Sequence, residues 1–518
     1  MGWSEAPENR EQMALFPHCL DEAIGKEHVV RFLDAILSEI NWSSWETEYH
    51  GRLGQPAIHP RVIASVLLYG LLTRIRSSRA LEEALQIRLD FRWLVSGRSI
   101  DHTTICQFRK RHEDDLRDLF VQVGLLARNM HLAKLDRLAF DGTRIRANNR
   151  RSGTRTPSEL RQEAAELEEK FAQFEREAQQ MDAGDEQRMG AGGTEDLPSE
   201  LRDAQQRRSR ISAALEELNR AREAGEKLPP RLPLTDPNSR VMPNKEGGFA
   251  PNYTPTATVD VASGLIVNAD VLPVVNEASH LIAALDQVQE DFELPRPAEG
   301  VLADGLMSTG ANLAALEERG ITLYSPCKIP DPATNPALRE DLTQPVAEAD
   351  WDRLPTTEVT VRGQKATVLD KSAFGYDADR DCYWCPAGKT LNYKHSTSES
   401  TGSGQRVRDR YFAEVETCQA CPLRDRCVHP ANKKSRQINR EQYEAHRERH
   451  AKRMATPEAQ QIYNQRRHAG ERPFATIKQR FGLRQFLTRG LKRVQAEWHL
   501  AATAFNIHRM YHLLHAPP

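Results

Sequence analysis

The stretch LDRLAFDGTRIRANN, residues 135–149, marks the change from helical to strand-like patterning along the chain. Its short apolar run ends at Asp141, and Gly142, Thr143 and two arginines follow at once or nearly so. An aspartate beside a glycine at the end of a strand is typical of a simple turn. The alternative is a functional carboxylate, and that interpretation depends on whether the rest of the chain supplies partners for Asp141.

A second strand end repeats this pattern. The segment GVLADGLMST, residues 300–309, is a short apolar run that ends at Asp304 and continues with Gly305. Neighbouring strands of one sheet would bring such ends to the same edge, where ligands of α/β proteins commonly bind. Two divalent cations would need a third acid, and Glu471 in the basic C-terminal part is the candidate.

Glu471 lies in a segment with helical spacing, RRHAGERPFATIKQRF. Arg467 precedes it by four residues and Lys478 follows it by seven, so the three share one helix face. An ordinary ion pair between Arg467 and Glu471, worth only about 0.3–0.5 kcal/mol, is the simpler interpretation. The density of positive charge favours a metal site flanked by phosphate-binding cations instead. The other cations of this segment are Arg466, Arg472 and Arg480.

The chain has 518 residues, enough for roughly three or four domains of about 150 residues. Helical spacing dominates the first part, and strands alternate with helices afterwards, which predicts an α/β core. The predicted regions are a helical N-terminal domain (1–134), a core in two parts (135–156 and 228–330), a charged helical hairpin (157–227), a cysteine-rich insertion (331–455) and C-terminal helices that complete the core (456–518).

Charge is strongly segregated although the net charge is only −2. Residues 451–518 carry 12 Lys and Arg against 3 Asp and Glu, or +9 with His neutral, whereas residues 157–227 are rich in acids. This segregation predicts one surface for a polyanion and another for solvent. No apolar run approaches the ~20 residues that span a bilayer. Because a signal-peptide pattern is also absent, we expect a soluble cytoplasmic protein without a membrane partner.

The N-terminal region contains a possible DNA-binding helix. The segment SIDHTTICQFRKRHEDDLRDLF begins with Ser99 or Asp101 as the expected cap and carries Arg109, Lys110 and Arg111 along one predicted face. This arrangement is compatible with a helix-turn-helix whose basic helix binds DNA. A helical bundle with ordinary solvated charge fits the segment equally well.

The acidic region predicts two long helices joined by a glycine-containing connection. Its apolar stripe is thin, which favours a mobile hairpin or one that packs on a partner, without catalytic chemistry. The members of that stripe in the first helix are Leu160, Leu167, Phe171 and Phe174.

Five of the eight cysteines crowd into residues 382–427, and two CxxC pairs occur there. In a reducing compartment this spacing favours a tetrahedral zinc site over disulfides, and a redox CxxC motif is the alternative. Zinc needs only four ligands, so one cysteine is spare. The simplest set is Cys382, Cys385, Cys418 and Cys421, and Cys427 could replace either of the later pair.

In combination these segments resemble insertion-sequence DDE transposases, whose catalytic domain is RNase H-like. The resemblance covers most of the chain and includes a cysteine cluster at the same place. The segments that carry it are HPRVIASVLLYGLLTRIRSSRALEEAL with DHTTICQFRKR (N-terminal helical domain), FDGTRIRANNRR (first-aspartate strand), GFAPNYTPTATVDVASGLIV (next two strands), VLADGLMSTGANLAALEERGI (second-aspartate segment) and YNQRRHAGERPFATIKQRFGLRQFLTRGLKRVQAEWHLAATAFNIHRM (glutamate helix).

The resemblance implies that Asp141, Asp304 and Glu471 hold two Mg²⁺ or Mn²⁺ ions for DNA cleavage and strand transfer. The Tyr-Arg-Glu-Lys signature of this group corresponds to Tyr463, Arg466 or Arg467, Glu471 and Lys478, and the spacing leaves both arginines open. Lys478 and one of these arginines would bind phosphates near the cut, and Arg144 and Arg146 are further candidates. The implied partners are double-stranded DNA, both element ends and target, and a second copy of the chain. The implied location is the prokaryotic nucleoid.

Two other functions stay open. A non-transposing RNase H-like nuclease would use the same acids, and strand-transfer products would distinguish it. A catalytically inert DNA-binding zinc protein would bind DNA through its basic region and would not cleave it.

Overall fold

The structure is a computed structural model of the chain. It describes residues 19–49, 56–149, 153–185, 199–223, 225, 229–243, 247–294, 299–401, 404–432 and 434–515. The chain forms two compact units. The first comprises Met1–Arg220, Leu228–Glu299 and Arg466–Pro518, and the second comprises Ala221–Lys227 and Gly300–Gln465. Among the helices described, none is long and apolar enough to cross a bilayer.

Seven helices form the N-terminal part of the first unit, as the apolar spacing predicts. Ser77 caps the fourth through Ala80 N, and Asp101 caps the sixth by accepting from Thr104 N at 2.8 Å. The third is buried almost all round, so it lies at the centre of this bundle. The helices are α1 (Val29–Ser38), α2 (Ser43–Thr47), α3 (Pro60–Leu72), α4 (Ser78–Ile87), α5 (Leu89–Leu94), α6 (His102–Arg111) and α7 (Asp115–Asn129).

The chain then forms an antiparallel sheet around one long strand. That strand, β6, pairs with β1 along one stretch, with β7 through a tight turn, and with the short strands β2 and β5. The strands of this part are β1 (Arg137–Gly142), β2 (Ile145–Arg146), β3 (Thr154–Arg155), β4 (Leu232–Pro233), β5 (Arg240–Pro243), β6 (Phe249–Asp260) and β7 (Ile266–Leu272).

The turn between β6 and β7 contains Ala262, Ser263 and Gly264. Gly264 has φ +75°, a conformation that side chains with a Cβ rarely adopt. The buried carboxylate of Asp260 accepts from the backbone N of Ser263 at 3.0 Å and also from its hydroxyl, and so closes the turn.

The acidic region contains two long helices, α8 (Pro157–Asp185) and α9 (Ser199–Glu223), and helix α10 (Leu281–Asp291) follows β7. Leu160 and Leu167 are buried in a small cluster with Ile211, Ala214 and Leu218. This cluster packs the two helices against each other. The side chain of Phe174 and the connection 186–198 lie outside the described residues.

The second unit begins with a parallel pair of short strands joined through a helix and continues into antiparallel structure. Its largest sheet has five strands in the order β12–β13–β14–β15–β16. The elements are β8 (Gly300–Leu302), α11 (Gly310–Glu318), β9 (Leu323–Tyr324), β10 (Thr356–Val361), β11 (Gln364–Leu369), β12 (Gly375–Asp377), β13 (Cys382–Trp384), β14 (Thr390–Thr401), β15 (Gly404–Phe412), α12 (Val415–Gln419), α13 (Arg424–Cys427), β16 (Gln437–Glu441), α14 (Glu444–Met454) and α15 (Pro457–Asn464).

Two helices return the chain to the first unit, α16 (Arg466–Gln479) and α17 (Leu491–Leu514). The buried face of α17 bonds directly to the strands. Asn506 exchanges two hydrogen bonds with the backbone of Ile266, at 2.8 and 2.7 Å, and Trp498 donates to Thr256 O at 3.1 Å. This helix therefore forms the main support behind β6 and β7.

The mixed α/β architecture with a helical N-terminal region is confirmed, and two local predictions are wrong. The predicted glutamate helix, which contains both Tyr463 and Glu471, is interrupted at Gln465, between α15 and α16. Arg109, Lys110 and Arg111 do not share a face, because consecutive helical residues point about 100° apart. The division into five regions and the RNase H-like core stay predictions.

Candidate active site

Asp141 lies at the end of β1 and is half-buried. Its Oδ1 atom accepts from the backbone N of Gly142 at 2.9 Å. The Nη2 atom of Arg466, the first residue of α16, lies 3.1 Å from the same oxygen, and both side chains are largely shielded from solvent. The carboxylate is therefore held in one orientation by a local amide and by a guanidinium from the far end of the chain.

Helix α16 approaches this strand end at Gly470. A Cβ atom added at Gly470 would lie 3.5 Å from both Cβ and Oδ2 of Asp141. The helix backbone thus leaves a space beside the carboxylate that any larger side chain would fill. Phe474, one turn further on, is buried and stacks on Trp498 of α17 with a centroid distance of 5.9 Å, which anchors the helix at this position.

Lys478 holds the loop that follows Asp141. Its Nζ atom donates to the Thr143 hydroxyl at 2.5 Å and to the Arg144 carbonyl at 2.9 Å. Arg144 donates to Pro243 O at 2.7 Å, while the side chain of Arg146 is exposed. The backbone of Arg146 pairs with the segment after α16, because Phe486 N donates to its carbonyl at 2.9 Å.

Glu471 directly follows Gly470 and is exposed. It precedes Lys478 by seven residues, so helix geometry places the two within about 20° of one face. Arg467 is exposed, whereas Arg466 pairs with Asp141. Of the two arginines that the signature spacing leaves open, Arg466 is therefore the one that contacts the predicted acid. The signature residue Tyr463 is half-buried in α15, in the second unit.

Asp304 lies in the second unit, two residues after β8. It is half-buried, and its Oδ1 accepts from Leu306 N at 2.9 Å, so it caps the short 3₁₀ turn Gly305–Met307. The local pattern of a strand, an aspartate and a glycine is the same as at Asp141. Its partners are residues of its own turn.

Arg109 and Lys110 occupy different environments. Lys110 is exposed. Arg109 points into the helical bundle, where its Nη2 donates to Arg76 O at 2.7 Å and its Nε is buried without a partner. Burial lowers the pKa of Arg109. This position argues against the predicted contact with a duplex, because the side chain does not lie on an exposed helix face.

The five cysteines of the predicted zinc site do not share one environment. Cys427 belongs to an apolar cluster of the second unit, and Cys385, Cys418 and Cys421 pack against that cluster. The pKa of the Cys427 thiol is raised to about 12, mainly by burial; the guanidinium of Arg436 opposes this shift, and the three neighbouring thiols add to it. Cys382 is buried elsewhere, and after burial the nearby Asp377 is the main cause of its raised pKa.

The structure contains no preformed metal cluster in the part of the chain that it describes. There, no three His, Cys, Asp or Glu side chains are grouped so that they could hold an ion. The predicted magnesium and zinc ligands therefore stay predictions. The donor types fit both metals, because carboxylates suit magnesium and thiolates suit zinc.

Two family models match the chain. Residues 384–511 match a transposase DDE domain, and residues 18–111 match a transposase domain of the DUF772 type. Together these matches support an insertion-sequence DDE transposase. The transposase DDE match includes α16 with Glu471 and the cysteines from Cys385 onward, whereas Asp141 and Asp304 lie outside it. No curated protein matches the chain.

Sequence reasoning missed the contributions of Gly470 and Thr143 to this site. Both are set by packing between segments more than 300 residues apart, which local spacing does not reveal. The available signal was the order of residues in α16, because Arg466, Gly470, Phe474 and Lys478 recur every four positions along the helix.

Proposed function

We propose that this transposase cleaves DNA at the ends of an insertion sequence and joins those ends to a target in a metal-dependent reaction. The observation that supports it best is the pairing of α16 with the end of β1, where Arg466 lies 3.1 Å from Asp141 and Gly470 leaves space beside the carboxylate. An RNase H-like core contains both antiparallel and parallel strands. Both are present here, because β6 pairs antiparallel with β1 and β7, and β8 pairs parallel with β9.

We assign Asp141, Asp304 and Glu471 as ligands of two Mg²⁺ or Mn²⁺ ions, because hard cations prefer carboxylate oxygens. Asp304 is included because its sequence pattern, a short strand followed by an aspartate and a glycine, is the same as that of Asp141. Two such ions supply activation of water or of a 3′-hydroxyl and stabilisation of the leaving oxygen. In the protein, Arg466 orients Asp141 by its ion pair.

Lys478 contributes by holding the loop after Asp141 through Thr143 and Arg144. DNA is a polyanion, and basic side chains bind its phosphates. We therefore propose that double-stranded DNA is bound by the positive C-terminal region and by the exposed side chains of Lys110, Arg146 and Arg467. Holding two element ends at once calls for two active sites, and we therefore propose a homodimer.

We also propose a structural zinc ion in the second unit. The thiols that share one environment are those of Cys385, Cys418, Cys421 and Cys427, and the backbone N of Lys389 lies 3.3 Å from the Cys385 sulfur as a donor. These four form the favoured set, and Cys382 becomes the spare cysteine. Zinc analysis of purified Cys385→Ser and Cys382→Ser variants tests this choice: loss of zinc is expected only in the first, and loss in the second would contradict the set.

The activity itself is tested with labelled element ends and Mg²⁺ or Mn²⁺. Wild-type protein should cleave and join them, and Glu471→Gln should lose both reactions while it retains DNA binding. The change removes a charge and keeps the size of the side chain. Glu458→Gln, at another exposed acid in α15, is the matched control and should stay active. Cleavage without strand transfer would favour the nuclease, and binding without cleavage would favour the inert DNA-binding protein.

A further inference from the structure

A cavity of about 420 Å³ lies within the first unit, away from Asp141. It opens between the N-terminal bundle, helix α17 and the segment Leu487–Arg489, and its size falls in the range of small-molecule sites, roughly 300–1,000 Å³. Its walls are mainly apolar. The apolar side chains that line it are Leu67, Leu71, Leu116, Leu487, Ala496 and Leu500.

Five cationic and two acidic side chains also line the cavity, which leaves an excess of three positive charges. Both acids already have partners. Glu113 accepts from Arg493 Nε at 2.7 Å. Glu497 binds Arg76 at 2.7 Å, and its two oxygens also accept from the backbone N of Leu487 and of Thr488.

Arg109 is the cation of this cavity that carries a buried donor without an acceptor. Its Nη2 donates to the backbone carbonyl of Arg76, and its buried Nε has no partner. A buried donor without an acceptor costs free energy. The main negative charge that acts on Arg109 is Glu497, which is already bonded to Arg76. An anionic ligand in the cavity would supply both the acceptor and a further negative charge.

We propose that this cavity binds one nucleotide, with its base between the leucines and its phosphate against Arg109 and the cationic rim. A phosphate alone would leave the apolar walls unfilled, and an apolar molecule would leave the buried Nε of Arg109 without an acceptor. A nucleobase offers flat faces for apolar and guanidinium contacts, and its phosphate is a strong acceptor. The inference rests on the proposed function for the source of the ligand, which is an unpaired nucleotide of the DNA substrate.

The test measures binding of dAMP to the full-length protein by calorimetry, with inorganic phosphate as the competing anion. Arg109→Met removes the charge and keeps much of the length, and Ala496→Leu fills the cavity without changing charge. Both should weaken dAMP binding at least tenfold. Arg92→Met, at an exposed arginine of α5, is the matched control and should bind as the wild type does.

A second arm uses a short single strand that contains 2-aminopurine, beside a blunt duplex of the same sequence. If the wild type quenches the 2-aminopurine fluorescence of the single strand and Ala496→Leu does not, the ligand is a nucleotide of a DNA strand. If the wild type binds dAMP and not the single strand, the ligand is a free nucleotide. Absence of dAMP and strand binding by the wild type would overturn the proposal, and so would phosphate binding as tight as that of dAMP. Failure of the DNA cleavage assay leaves these measurements unaffected, so the two proposals fail separately.

Discussion

The two strand ends that carry Asp141 and Asp304 have the same local sequence pattern and different support. Asp141 is paired with Arg466 at 3.1 Å, and its loop is held by Lys478, both from a helix more than 300 residues later. Asp304 accepts from Leu306 N at 2.9 Å and caps its own turn. The same short motif thus depends on distant residues in one place and on its neighbours in the other.

This difference teaches that a strand, an aspartate and a glycine specify a turn but not the orientation of the carboxylate. At Asp141 the orientation comes from long-range packing, so changes in α16 should affect it. At Asp304 the orientation of the carboxylate comes from the backbone of its own turn, so only changes within that turn should affect it. The predictions below separate these two kinds of support.

The largest effect is expected at the carboxylates themselves. Asp141→Ala and Asp304→Ala should each lower metal-dependent cleavage by about 10²–10³-fold or more, the typical cost of losing one key electrostatic group. DNA binding should persist, because neither change removes a cation. Cleavage of labelled element ends and gel-shift binding are the measurements. Retained cleavage in either variant would remove that aspartate from the proposed ligand set.

The next effect tests the long-range support of Asp141. Arg466→Met should lower cleavage about 10–100-fold, as losses of groups that orient metal ligands do. Arg467→Met is the matched control, because its side chain is exposed and directly adjacent. Equal losses in both variants would show that general positive charge, and not orientation of Asp141, is what the helix contributes.

Lowering the pH should reduce the stability of the fold through His499, which packs behind the sheet that carries Asp141. Burial of His499 in α17, whose Nε2 lies 2.9 Å from Ala269 O, lowers its pKa to about 4 from 6.5. The folded state therefore binds this proton less readily, and stability present above pH 6.5 is lost as pH falls toward 4. At pH 5 the loss is about 2 kcal/mol relative to pH 7.

Urea unfolding of wild type and His499→Gln at pH 7 and pH 5 measures this effect. Glutamine does not titrate, so the difference in stability between the two pH values should shrink by about 2 kcal/mol in the variant. An unchanged difference would mean that other groups cause the acid sensitivity.

The smallest effect concerns the self-contained end at Asp304. Asp304→Ala should lower stability by about 1 kcal/mol, the usual cost of losing a cap, and Asp304→Asn should change it by only a few tenths because the amide oxygen still accepts. Thermal unfolding of the two variants is the measurement. A larger loss in Asp304→Asn would show that the charge has a structural partner beyond the turn.

The sequence predicted elements that depend on local pattern. The helices of the N-terminal part and the cap Asp101 follow the expected spacing. These features are specified by apolar periodicity and by side chains that bond to nearby backbone, so a single sequence contains the information.

The sequence did not predict the five-stranded sheet of the second unit. Strand β14 reads TLNYKHSTSEST, which is almost entirely polar, and only its early residue Leu391 lies in the apolar cluster. An apolar alternation is absent because most of this strand is exposed. The sheet is held by backbone pairing and by aromatic contacts such as that of Tyr383 with Tyr411, at a centroid distance of 5.1 Å.

The predicted site was recognisable in its acids but not in its supports. Residue types and order pointed to Asp141 and Glu471, whereas the choice between Arg466 and Arg467 required the observed contact. Likewise, the cysteine spacing left the spare thiol open, and the packing of the second unit separates Cys382 from the others.

The bond between Lys478 and Thr143 has a consequence for how the protein is made. The two residues are 335 positions apart, and translation at roughly 5–20 residues per second needs about 20–70 s to cover that distance. Until then the Asp141 strand has neither Lys478 nor Arg466 beside it. A growing chain on the ribosome therefore cannot assemble the proposed site around Asp141 until α16 has been made, and chains that stop before α16 would lack the proposed cleavage activity.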